Sequence, residues 1–97
     1  MTIEILDQAR EDLVEGFHFY EGQQTGLGSY FLDNLYADIE SLRLYGGVHP
    51  KVYGDYHRLL SRRFPFAVFY RVQADNIFVH AVLDCRRDPA WIRERLK

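Results

Sequence analysis

The sequence predicts a single α+β domain over residues 1–97, in the order β-α-α-β-β-β-α. An N-terminal strand and a helical hairpin pack on a small antiparallel sheet, and a short C-terminal helix closes the chain. Three observations predict this. Apolar residues recur with a period near 3.6 in the first half of the chain and near two from Val52 onward, the spacings of one helix face and one strand face. Glycines at 26 and 28, and again at 46 and 47, punctuate the helical half. Asp88-Pro89 ahead of AWIRERLK places a capping carboxylate and an N1 proline in front of a last helix.

Taken in order, Ile3 to Leu6 form a short apolar strand that ends at Asp7, whose carboxylate is expected to cap the first helix. In that helix Ala9, Leu13, Phe17 and Tyr20 form the buried stripe with Val14 widening it, while Arg10, Glu11, Asp12 and Glu15 point elsewhere. QQTGLGS breaks the pattern. Leu27, Phe31, Leu35, Ile39 and Leu42 then build a second amphipathic helix, which Gly46 and Gly47 end by permitting a left-handed cap. So short a link makes the two helices an antiparallel hairpin. DYHRLLSRR, FAVFYRVQ and NIFVHAVLD are three consecutive strands, the last two joined at Ala74-Asp75-Asn76. No repeat, low-complexity segment or linker interrupts them.

With 97 residues there is room for one modest core, hiding roughly 60 to 65% of the surface the unfolded chain exposes. A 47% hydrophobic content with seven Phe and seven Tyr argues against disorder. No apolar run is long enough to span a membrane and no leader precedes the first strand, so a cytoplasmic protein without a membrane partner is expected. The single cysteine, Cys85, fits a reducing compartment and is expected to be a small buried hydrophobe. The net charge of −2 conceals an asymmetry. Residues 1–50 carry two arginines against nine carboxylates, a net of −7, and residues 51–97 carry ten Lys or Arg against five, a net of +5. The basic half either faces an anionic partner or neutralises the acidic helices of its own fold.

RRFPFAVFYRV is the densest aromatic stretch. In a strand, Phe64, Phe66, Val68, Tyr70 and Val72 share one face and Pro65, Ala67, Phe69 and Arg71 the other. Both are mostly apolar, which predicts a central strand with helices on one side and shelter on the other. Exposing these rings would forfeit roughly 1.5 to 3 kcal/mol each, so they are core rather than a platform for stacking bases. The cations Arg58, Arg62, Arg63, Arg71, Arg86 and Arg87 lie on or beside the strands, where antiparallel return can gather them at one edge of the sheet. Guanidinium forks there suit phosphate or carboxylate. His18, His49, His57 and His80 have no metal-ligand spacing, and no nucleophile elbow, P-loop or dinucleotide fingerprint is present, so neither metal nor cofactor is expected. His57 and His80 are acid–base candidates if they share a cleft.

The helical hairpin DLVEGFHFYEGQQTGLGSYF, then YHRLLSRRFPFAVFYRV and NIFVHAVLDCRRDP, resemble the RelE/ParE superfamily of type II toxin–antitoxin toxins, also described as plasmid stabilisation proteins. The resemblance covers nearly the whole chain. It implies a small cytoplasmic, growth-inhibiting toxin neutralised by a cognate antitoxin. In the RelE branch such a protein cleaves messenger RNA on the ribosome; in the ParE branch it inhibits DNA gyrase and has no nuclease chemistry. By resemblance Arg58 and Arg87 match two basic positions of the nucleases. Leu60 and Ala67 stand where two others are expected, and Trp91 and Arg93 lie near the place of the acid–base tyrosine. Losing one preorganised charge donor costs about 2 to 4 kcal/mol of transition-state stabilisation. Two such losses favour a ParE-like toxin that acts by binding a macromolecular target, with Arg58, Arg62, Arg63, Arg71, Arg86, Arg87 and Trp91 as the candidates for contact with target or antitoxin. The alternatives are a divergent ribosome-dependent endoribonuclease using Arg58, Arg87, His57 or His80, and a non-toxic relic that only binds a partner protein.

Overall fold

The computed structural model describes residues 1–97. Strand β1 (Thr2–Ile5) leads into α1 (Asp7–Gln23), α2 (Leu27–Glu40) and a single further turn, α3 (Leu42–Tyr45). Strands β2 (Lys51–Tyr53), β3 (Tyr56–Leu60), β4 (Phe66–Gln73) and β5 (Asn76–Asp84) follow, and α4 (Pro89–Arg95) closes the chain. The α+β class and the predicted order hold, with β2 as an additional three-residue strand. The sheet runs β1-β5-β4-β3-β2. Its β3 to β5 part is antiparallel as expected and β2 extends it in the same sense, while β1 joins β5 in parallel, which makes the whole sheet mixed.

Strand β4 lies inside the sheet and is buried on both sides over Phe66–Tyr70. Phe66, Val68 and Tyr70 join Leu59, Ile77, Val79 and Val82 beneath α1 and α2, where Ala9, Leu13, Phe31, Leu35 and Ile39 fill the larger core. Ala67 and Phe69 join Ala81 and Leu83 beneath Ile92 of α4 and Leu96 at its C-terminal cap. The shelter on the second face is therefore the C-terminal helix. In the β4–β5 ladder Phe69 faces Ala81 while Tyr70 faces Val79, so β5 carries one extra residue, His80. This bulge shifts the alternation by one residue, which lets Val79 and Val82 both reach the larger core while Ala81 and Leu83 meet α4.

Several local expectations change. Leu6 occupies the cap of α1 with no side-chain hydrogen bond, and Asp7 is the first helical residue, where its charge still complements the helix dipole. Val14 is exposed, because the packed face turns toward Asp12 and Gly16 instead. A Cβ at Gly16 would lie 2.5 Å from the Phe31 ring, so the missing side chain is what lets the α2 aromatic seat against α1. The start of α2 is capped from α1: the Glu21 carboxylate accepts hydrogen bonds from the Gly26 and Gly28 N–H groups at 3.0 Å. After α3 it is Gly47, at φ 95°, that takes the left-handed conformation, and Gly46 does not. Cys85 is exposed rather than buried, because it follows the last strand in the turn toward α4. That helix starts as predicted, with the Asp88 carboxylate accepting from Ala90 N–H at 2.8 Å and Pro89 at its first position.

Candidate functional site

The edge of the sheet at β3 is incompletely closed. β2 registers only with Tyr56 and His57, so Leu59 and Leu60 continue past it with no strand on their outer side. Between this edge and α2 lies a groove of about 520 Å³, into which Tyr45, Val48 and Leu60 present apolar surface and Arg62 and Arg63 present charge. Leu60 is 55% exposed, Tyr45 57% and Val48 69%. Large side chains are left in water here for want of anything in the chain to cover them. An open strand edge flanked by apolar side chains is also a template for an added strand. The charge along its rim is mixed. Arg62 and Arg63 lie near Asp38 of α2, whose carboxyl is pushed up by burial.

The other predicted cations are dispersed. Arg58 sits on β3 opposite Phe69, on the α4 face, half-buried, and its Nε has no hydrogen-bond partner. Arg86 is clamped in the turn after β5, donating from Nη2 to Asp84 at 2.6 Å and from Nε at 3.0 Å. This fork holds the Asp84 carboxyl below the ordinary carboxylate range. Arg87 lies over the Trp91 ring at 3.8 Å, which ties the turn to α4. Arg71 is exposed near the opposite end of β4 and lies over Tyr56 at 5.6 Å. The fold thus distributes these arginines over three places: Arg62 and Arg63 at the groove, Arg58, Arg86 and Arg87 toward the α4 end of the sheet, and Arg71 at the hairpin end.

His57 and His80 line one cavity, of about 470 Å³, yet differ in setting. His57 is buried, stacks on Tyr70 with ring centroids 4.9 Å apart, and its Nδ1 bonds the His49 carbonyl at 2.7 Å. His49 Nδ1 in turn meets the Tyr70 hydroxyl at 2.5 Å, and that hydroxyl accepts from Gly47 N–H at 3.0 Å. The pair therefore fastens residues 47–49 to the sheet. Burial, with His57 nearby, holds the His49 imidazole below its ordinary range. His80 sits in the bulge, held down likewise by burial and by Arg71.

Sequence reasoning missed two groups. Asp12 was expected to point away from the core but is 5% exposed, and its Oδ2 accepts from Val82 N–H at 3.0 Å and from Arg95 Nη2 at 2.9 Å. The β1–β5 ladder ends at Val79, and Asp12 satisfies the edge of β5 beyond it. The groove residues Tyr45 and Val48 were missed as well. The signal was their placement off the stripe that ends at Leu42, next to Gly46-Gly47.

The fold is shared with a chain of a solved structure described as the chromosomal ParDE TA system from P. aeruginosa. The TM-score is 0.78 at 16% identity, over 84% of this chain and 92% of that chain. No family model matches the sequence and no curated protein matches it.

Proposed function

We propose that this protein is the toxin of a type II toxin–antitoxin pair, of the ParE-like kind, which acts by binding a macromolecular target, DNA gyrase, and is neutralised by an antitoxin segment seated in the β3 groove. The observation that carries the proposal is the fold shared over 84% of the chain with a chain of a ParDE system. Two site features support it. Ala67, at the position where the resemblance expects a nuclease arginine, is fully buried beneath α4 between Leu60 and Leu83 of the neighbouring strands. A guanidinium there would have no route to solvent while α4 stays in place. The groove, for its part, offers an antitoxin an open strand edge, apolar side chains and two arginines for its carboxylates.

The test pairs two assays on the purified chain: gyrase supercoiling, and messenger RNA integrity in a translating extract. Inhibited supercoiling with intact RNA is the expected result. Cut RNA with supercoiling untouched overturns the proposal in favour of an endoribonuclease. Arg58→Ala with Arg87→Ala should then abolish the cutting if those arginines carry it. Neither activity, in a protein that still captures the product of an adjacent open reading frame, identifies a non-toxic relic.

A further inference from the structure

The hairpin end of the sheet holds a second cavity that α4 does not cover. His80, the extra residue of β5, meets the Tyr56 ring edge-on at 5.0 Å. Arg71 lies over the same ring, and Phe78 stands directly opposite Arg71 in the ladder. An unpaired guanidinium, an imidazole and an aromatic face therefore open to one space of about 470 Å³, joined by Lys51 and Gln73. Asp55 is the carboxylate of the lining, and it approaches Lys51 at 3.8 Å, while Arg71 has no carboxylate within ion-pair distance.

Nothing in the fold accounts for this grouping. Arg71 and Lys51 are exposed, their contacts confined to the Tyr56 ring and to Asp55 respectively, and a bulge that puts an imidazole beside a guanidinium without a carboxylate partner is the kind of irregularity that collects at binding sites. The volume falls in the range of about 300 to 1,000 Å³ typical of small-ligand pockets. A planar fork, a point charge and an imidazole suit a phosphate, and the adjoining aromatic suits a base.

We propose that this cavity binds the phosphate of a nucleotide, with Arg71 and Lys51 on the phosphate oxygens, His80 donating an imidazole N–H, and the base against Phe78. Burial and Arg71 hold the His80 imidazole below its ordinary range, so it offers a neutral N–H donor at pH 7. The same phosphate can arrive on a free nucleotide or within a single RNA strand. None of Arg71, His80 and Phe78 lines the β3 groove, so nucleotide binding and partner binding are separately measurable.

The test is a set of NMR titrations with AMP, adenosine, inorganic phosphate and a hexaribonucleotide, repeated on Arg71→Gln and Lys51→Gln. AMP should shift the Gln73 and Phe78 amides and the His80 ring resonances at millimolar concentration or below. Inorganic phosphate should bind more weakly, and adenosine should leave these resonances unmoved. Arg71→Gln should weaken AMP at least about tenfold, about 1.4 kcal/mol, and Lys51→Gln by a smaller factor. Both replaced side chains are exposed, so unchanged melting temperatures verify the fold. Tighter binding of the hexamer than of AMP at the same residues assigns the phosphate to an RNA strand; the reverse assigns it to a free nucleotide. Phosphate binding as tightly as AMP overturns the base contact. Absence of shifts with both AMP and the hexamer, or AMP affinity unchanged in Arg71→Gln, overturns the site.

Discussion

The face of the sheet beneath α1 and α2 and the face beneath α4 are made by the same strands, yet they are filled differently. Fourteen buried residues form the core of the first, with Phe31, Tyr20, Phe64 and Phe66 in edge-on or tilted ring contacts; six form the core of the second. The helical hairpin covers its face broadly, whereas a seven-residue helix covers only one end of the other. Most of the hydrophobic stabilisation thus comes from one face. The second face depends more on specific polar fastenings, and its uncovered end is where Arg71, Tyr56 and His80 meet solvent.

Breaking the first face should have the largest effect. Phe31→Ala removes a fully buried ring packed against Gly16, Tyr20 and Phe66, and should cost about 3 to 5 kcal/mol in urea unfolding. A loss under about 1 kcal/mol would show that this core is looser than its packing implies.

The second face should break at its fastening. Arg95→Ala leaves the Asp12 carboxyl buried with only Val82 N–H as partner, for an expected loss of about 3 kcal/mol. Hydrogen exchange should quicken in α4 and near Val82 before it does in α1 and α2; uniform quickening would mean that the two faces unfold as one. Asp88→Ala removes only the α4 cap, and should cost about 1 kcal/mol with fraying confined to the helix start.

The smallest effect sharpens the comparison through pH. The folded-state His49 imidazole is held below its ordinary range, so the unfolded chain binds the proton more readily. Its contribution is therefore fully present above about pH 6.5, the unfolded value, and is lost as pH falls through the lower folded value. His80 contributes with the same sign. His49→Asn keeps a hydrogen-bonding group toward the Tyr70 hydroxyl without a titrating ring, so the fall in melting temperature between pH 7 and 5 should shrink in the variant and persist in part through His80. An unchanged fall would remove His49 from the acid response.

The helical hairpin was legible because Leu13, Phe31, Leu35 and Ile39 recur at helical spacing and their burial follows from that spacing alone. The double burial of β4 was legible for a similar reason: Phe66 to Tyr70 are apolar at every position, and no strand with one wet face reads that way. Asp88-Pro89 declared the last helix through local chemistry. Cys85 was misread because it falls just past the last strand, in the turn toward α4, and Asp12 because its partners come from distant segments. An acid on an amphipathic helix belongs in water by composition, and only the premature end of β1 and the arrival of Arg95 make its burial tolerable.

The class of the fold, the order of its main elements and the identity of its aromatic core were readable from the residues alone, since periodicity and capping act over a few neighbouring positions. The separation of the arginines into three places, the open edge of β3 and the departure of His80 from the ladder to meet Arg71 and Tyr56 emerge once the chain is folded. These depend on strand order, register and one bulge. The balance that fixes them is summed over the whole sheet, and no short window of sequence contains it.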